Sequence, residues 1–408
     1  MNAKRVCFFT LIPALTLLAL GFPPPAEPQG SAPSPVTVAV RVFDAGRFVD
    51  GLSLSDFAIT ENGAPQRLQA LCQFQKNAVV RQEGEAAAGP AAARKFYLLF
   101  QMYDFDPKIS QALGYFFSEV LLPGDFLEIQ TPVTSYALSP QAFARKPKDS
   151  LARETTDMVR KDINKGNFVY KSLLKDLRRL IHGIQGTNPI GPGDDAEGGM
   201  VSAFSMEQML DQYRDSLNKL ESQQSLDSAK IAGFARALKT QPGRKFVVLF
   251  YQQEYRPEIT PQALHQLIDN NQDNQSVLAD LHELFQVYHR ALSTDTDGIV
   301  RAYCDSGADV SFLFLKRTPE KLGGVAMREQ SEDVFKLFTR IAEATGGFAG
   351  TTQNAMAGLQ EAAVMMEAYY LITYAPAGAA GDGSFREISV TVKGKPYKIL
   401  HGKGYSAG

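Results

Sequence analysis

The chain has almost no net charge, few cysteines and, beyond its first twenty residues, no apolar run long enough to cross a bilayer. Its 42 lysines and arginines face 44 aspartates and glutamates, a formal net charge of -2. Nucleic acid is therefore not expected as the main partner, because neutralising phosphates takes a basic excess. Three cysteines are present. Cys7 falls in the amino-terminal apolar stretch, and Cys72 and Cys304 fall in different predicted domains. Two separately buried thiols are expected rather than a bridge, even in an oxidising compartment.

Catalytic motifs are missing as well. There is no Gly-x-Ser-x-Gly turn and no phosphate-cradling glycine loop. His282 and His289 share a predicted helix but stand about 10.5 Å apart along it. One zinc ion with bonds of ~2.1 Å does not span that gap, and Gln286 occupies the place of the second ligand in His-Glu-x-x-His. His182, His265 and His401 have no sequence neighbours that suggest a triad. The chain reads as a non-enzyme with no cofactor.

What is present begins with a targeting segment. Lys4 and Arg5 precede an apolar run over residues 6–20, the length of a signal-peptide core and short of the ~18 residues of a membrane span. Residues 1–21 are expected to be a signal peptide, and the protein to be exported to the periplasm or the extracellular space. With 408 residues, 44% hydrophobic and 21% charged, the remainder is an ordinary globular chain with room for two or three domains.

A Pro-, Gly- and Ser-containing linker over 22–35 leads into an alternating pattern in which Val36, Val38, Val40 and Val42 point one way, a strand with one buried face. Two further strands turn through Asn62-Gly63. Together they make the amino-terminal part, 36–78, of a small antiparallel β-domain. These strands alone are marginal for an independent core. Residues 383–404 alternate again and are expected to join them. After a linker over 79–94, strands and helices alternate through 95–376. The continuous apolar runs 96–100, 246–250 and 310–315 read as strands buried on both faces, with 369–374 as the last strand. The expected fold class is α/β, a doubly wound and mostly parallel sheet with helices on both faces, plus the small antiparallel β-domain built from both chain ends.

A helical insertion spans about 141–227. Its first stretch, 151–183, carries Leu173, Leu174, Leu177, Leu180 and Ile181 as an apolar stripe. The basic cluster Lys171, Lys175, Arg178 and Arg179 reads as a solvated helix face, with an anionic partner as the alternative. Residues 186–199 are polar and glycine-rich, too poor in apolar surface to fold alone, and a helix is expected over about 206–223.

In open α/β sheets the ligand site lies beyond the carboxyl ends of the strands, which directs attention to Gln101 through Asp106. Several phrases carry a family resemblance here: VFDAGRFVDGLSLSDFAITENGAPQRL near the start, LLPGDFLEIQT, GRKFVVLF, IAEATGGFAGT, AYYLITYAPAG and the terminal HGKGY. In order and wording they resemble the exported von Willebrand factor A-related family of bacteria named for the acidobacteria, and they are spread over most of the mature chain. The resemblance implies export and binding to other proteins. It also implies a metal-ion-dependent adhesion site, in which hard oxygen ligands hold a cation such as Mg²⁺ with one place open for a partner's carboxylate. At the matching positions this chain has Gln101, Tyr103 and Phe105 after the first buried strand, and Tyr251, Gln252 and Gln253 after the second. Tyrosine and phenylalanine do not replace serine oxygens, so the metal site reads as degenerate.

Two readings follow. The preferred one is a non-catalytic, metal-free module that binds an unknown protein of the envelope or extracellular space through Tyr103, Asp104, Asp106, Tyr251, Glu254 and Tyr255. The alternative is a hydrolase or metal-dependent adhesion protein that reuses Asp104, Asp106 and Glu254.

Overall fold

The computed structural model describes residues 34–84, 94–186, 203–224, 227–286, 295–319, 321, 325–376 and 381–407. The expected signal peptide, His289 and residues 187–199 lie outside them. Pro33–Gly408 falls in one compact unit.

At the centre is a six-stranded sheet in the order Ala349–Thr352, Ala308–Leu315, Arg244–Gln252, Arg94–Gln101, Phe126–Gln130, Ser135–Leu138. Neighbours pair in parallel except the last two, which form an antiparallel hairpin. The three apolar runs occupy its middle, buried on both faces. Phe96 stacks on Phe246 and Phe100 on Phe250, with ring centroids 5.3 and 4.8 Å apart. On one face Phe96, Leu98 and Phe100 pack with Ile109, Leu113 and Leu359. On the other, Tyr97, Val247 and Leu249 pack with Leu238, Ile299 and Ile341.

The remaining sheets are antiparallel. Six strands pair around Val36–Asp44 and Ala368–Ala375, flanked by Lys398–His401 on one side and by Arg67–Gln75 and Ala78–Gly84 on the other; this sheet curls into a half-barrel. Four strands pair around Phe57–Glu61 and Phe385–Val392, and Tyr255–Ile259 pairs with Val325–Glu329.

This architecture overturns the expectation of a doubly wound, mostly parallel fold. Among the described residues three of the four sheets are wholly antiparallel, and parallel pairing is confined to the central, mixed one. The strand Ala368–Ala375 shows why. Taken as the last member of the parallel sheet, it lies instead between Val36–Asp44 and Arg67–Gln75, antiparallel to both. Tyr370, Ile372 and Tyr374 enter the core formed with Val38, Val40, Phe57 and Ile59. The Tyr370 hydroxyl donates to the Val49 carbonyl at 2.8 Å and that of Tyr374 to Glu61 at 2.7 Å. These partners lie more than three hundred residues away in sequence, where helix–strand alternation carries no information.

One buried ion cluster ties this sheet to the central one. Arg41, fully buried, meets Asp309 at 2.6 Å, and Arg244 meets the same carboxylate. Cys72 and Cys304 are both free, the first buried and the second partly so.

The insertion's first helical stretch is broken in two, Lys148–Gly166 and Phe168–Ile184. A side chain at Gly166 would bring its Cβ within 2.6 Å of Pro132 Cβ, so only glycine allows this close approach. The Asn167 amide then donates to the Ile163 carbonyl at 2.7 Å and to the Met102 carbonyl at 2.6 Å. The junction is thus pinned to the loop at the end of the central strand. Leu174, Leu177, Leu180 and Ile181 bury against Leu210, Tyr213 and Leu217 of Ala203–Gln224. Among the described residues no helix is long and apolar enough to cross a membrane.

Candidate functional site

The strand Arg94–Gln101 runs into the loop Met102 to Asp106, and Arg244–Gln252 ends beside it in parallel register, with Tyr251 opposite Gln101. Gln252 holds the loop in place. Its side-chain oxygen accepts hydrogen bonds from the backbone N–H groups of both Tyr103 and Asp104, each at 2.9 Å. A residue read as a degenerate metal ligand is therefore a brace for the loop backbone.

The six residues expected to face a partner separate into two layers. Asp104 is exposed and Asp106 partly so, whereas Tyr103, Tyr251, Glu254 and Tyr255 are buried. In the lower layer Glu254, 1% exposed, accepts hydrogen bonds from the hydroxyls of Tyr103 and Tyr251. Its backbone N–H donates to Ser331 Oγ at 2.7 Å. Two hydroxyl donors offset the cost of burying a carboxylate. Burial, reinforced by the charge of Glu254, pushes the Tyr103 hydroxyl well above its ordinary range. The Tyr103 ring lies 4.3 Å from that of Tyr170, whose hydroxyl donates to the Tyr255 carbonyl at 3.2 Å. Burial pushes the Tyr170 hydroxyl up to about 12, against the pull of the Arg317 guanidinium.

In the upper layer Asp104 sits between two cations, Lys171 Nζ at 2.8 Å and Arg317 Nη1 at 2.9 Å. Arg317 lies over the rings of both Tyr103 and Tyr255, 5.9 and 5.5 Å from their centroids. Asp106 turns away from Asp104 as the cap of Pro107–Tyr115, accepting from the Lys108 N–H at 2.8 Å. Phe105 lies under Arg160, 4.8 Å from ring centroid to guanidinium. Gln101 is exposed.

Asp104, Asp106 and Glu254 thus have separate commitments: two cations, a helix end and a tyrosine pair. Among the described residues no cluster of three or more His, Cys, Asp or Glu side chains has the arrangement of a metal site.

Two cavities flank this arrangement. One, of about 320 Å³, has Tyr103, Tyr251 and Glu254 in its wall together with Phe234 and Phe338. The other, of about 430 Å³, is a cleft bounded by Asp104, Asp106, Lys171, Arg178, Tyr255 and Arg317. Beside it, at the start of Phe168–Ile184, Phe168 is 74% exposed and Val169 is exposed as well.

Sequence reasoning named Asp104 and the tyrosines but not Arg317, Tyr170 or Asn167, and it read Lys171 and Arg178 as a solvated helix face, with an anionic partner as the alternative. Arg317 was findable by one signal, since it follows the buried strand Ala308–Leu315 and so stands at the same carboxyl edge of the sheet. The contacts of Asn167 and Lys171 depend on the packing of the insertion, for which the sequence holds no local cue. Comparison with protein-family models, with curated proteins and with solved structures gave no match to this chain.

Proposed function

We propose that this chain is an exported, non-catalytic protein-binding module, related to the A-related bacterial family through the phrases quoted above, that works without a metal ion. The observation that carries the reading is the cleft at the carboxyl edge of the central sheet. There an ion triad, Lys171–Asp104–Arg317, stands at the loop where the resemblance leads one to expect a bound cation. Phe168, three residues before Lys171 on the same helix, presents an exposed aromatic ring. Interfaces favour that mixture, in which arginine and aromatic side chains are enriched.

Two measurements test it. Melting of the purified protein with chelator and with excess Mg²⁺ or Mn²⁺ should show no difference; a site filled to a hundred times its dissociation constant adds about 2.7 kcal/mol. A metal-dependent rise of that size would sink the metal-free reading. A photocrosslinker placed at Phe168 in the intact envelope should give a discrete adduct that is missing when it is placed at Lys336 on the helix Glu332–Thr345. The same adducts from both positions, or none, would count against a binding face here.

A further inference from the structure

The helix Phe168–Ile184 carries Phe168, Lys171, Lys175 and Arg178 at spacings of three, four and three residues, which sets them in one stripe along a single face. At 1.5 Å per residue the stripe is about 15 Å long. Lys171 and Arg178 border the 430 Å³ cleft, and Arg317 borders it from the segment that follows Ala308–Leu315. Three cations therefore surround a cleft whose two carboxylates are Asp104 and Asp106, and Asp106 is occupied in capping a helix. Arg317 Nε is buried and has no hydrogen-bond acceptor among the described residues, whereas Nη1 reaches Asp104 in the cleft. A guanidinium grips a carboxylate best through two parallel N–H bonds.

Resting on the protein-binding reading above, we propose that the cleft receives an acidic, extended segment of a partner protein, with Asp104 as its internal competitor. The partner's carboxylates meet Lys171 and Arg317, and an apolar side chain packs on Phe168 at the head of the stripe. At about 3.3 Å per residue, some five extended residues cover the stripe. Asp104 now holds both cations through ion pairs that are half exposed at the carboxylate. Pairs of that kind are weak and exchange readily in water. An incoming carboxylate can take one cation from Asp104 without exposing a buried charge. The apolar head of the stripe favours a peptide over a nucleic acid, as does the absence of any overall basic excess.

The test uses the full chain and a fluorescein-labelled peptide, Leu-Glu-Glu-Leu-Glu-Glu, with its Leu-Gln-Gln-Leu-Gln-Gln counterpart, read by anisotropy at low and at physiological salt. The acidic peptide should bind about tenfold tighter than the neutral one, with the difference shrinking as salt rises. Arg317→Ala should weaken it about tenfold, and Arg317→Lys should recover only part, because the charge returns without the fork. Asp104→Asn is the decisive variant. It should bind the acidic peptide severalfold tighter, since it releases two cations, whereas a purely structural Asp104 or a metal-ligand Asp104 would give weaker or unchanged binding. Equal binding of the two peptides, or no gain in Asp104→Asn, overturns the proposal. An oligodeoxythymidine that binds as tightly as the acidic peptide overturns the assignment to protein. If both peptides fail while the crosslinker at Phe168 still gives its discrete adduct, the binding-module reading stands and only the acidic chemistry is lost.

Discussion

Replacing Arg41 by methionine should cost about 4 kcal/mol, because this one side chain fastens the half-barrel to the central sheet. Arg41 has no exposed surface, and it donates to Asp309 at 2.6 Å, to the Gly346 carbonyl at 3.2 Å and to the Met365 carbonyl. Its guanidinium also lies 5.7 Å from the Tyr369 ring centroid. Removing one partner of a buried ion pair costs about 3–5 kcal/mol. Asp309 keeps Arg244, which argues for the lower end, about 3 kcal/mol. Two carbonyls that lose a donor add roughly 0.5–1 kcal/mol each. The loss of about 4 kcal/mol corresponds to a fall in melting temperature of about 8 °C at roughly 2 °C per kcal/mol for a unit of this size. Urea unfolding and scanning fluorimetry on Arg41→Met, Asp309→Asn and the double variant would measure it. The double variant should lose at least 1 kcal/mol less than the sum of the singles, since both remove the same contact. A cost under about 1 kcal/mol for Arg41→Met, or strict additivity, would show that the two sheets hold together by apolar packing alone.

Other perturbations reach the same joints from different sides. Gly346 closes the helix Glu332–Thr345 at φ +75°, and a Cβ there would lie 2.7 Å from the His401 backbone. Gly346→Ala should therefore cost about 2 kcal/mol or more, and loss of protection at the amides around His401 in hydrogen exchange would locate the damage. His401 itself is buried, which holds its imidazole below the ordinary range. The unfolded chain binds a proton there more readily than the folded one, so stability should fall as pH drops below about 6.5 and continue falling toward the folded value. In His401→Gln that part of the acid slope should vanish; an unchanged slope in urea titrations would remove His401 as its source. Tyr103→Phe takes one donor from buried Glu254 and should cost about 1–3 kcal/mol, with an equal melt to the parent counting against the tyrosine–carboxylate network. Deleting residues 378–408 removes the strands Phe385–Val392 and Lys398–His401, which pair with Phe57–Glu61 and Val36–Asp44. The truncated protein should melt well below the parent, and an unchanged melt would mean that these pairings add little.

How much of this was legible depended on whether the deciding contact was local. The runs 96–100, 246–250 and 310–315 are continuous because both faces of their strands are buried, and period alone reveals that. The last strand did not share that signature. In Ala368–Ala375, Leu371 and Thr373 are only partly buried while Tyr370, Ile372 and Tyr374 are buried. That alternation marks a strand with one better-covered face, as in an antiparallel sheet. The split at Gly166 had a cue in the glycine itself, but its cause, the approach of Pro132, is a tertiary contact. Lys171 shows the limit most clearly. Its spacing within the helix was plain, yet the same spacing suits a solvated face and a cleft wall equally, and only the packing of the insertion decides between them.

The loop after the central strand brings these points together. Of the positions where the resemblance leads one to expect metal ligands, three are engaged in another way: Tyr103 donates to Glu254, Phe105 lies under Arg160, and Gln252 braces the loop backbone. Positive charge is supplied by Lys171 and Arg317, which are parts of the chain. A loop organised by an exchangeable cation responds to chelation, whereas one organised by its own lysine and arginine responds to ionic strength and to competing carboxylates. The two designs therefore differ in which solution variable governs the site. Raising salt at constant chelator should weaken the Asp104 pairs, and so should raise the hydrogen-exchange rate of any amide in residues 102–106 whose protection they support, while adding or removing Mg²⁺ at constant ionic strength should leave that rate unchanged. An exchange rate that follows Mg²⁺ and ignores salt would place a metal ion back at the centre of this loop.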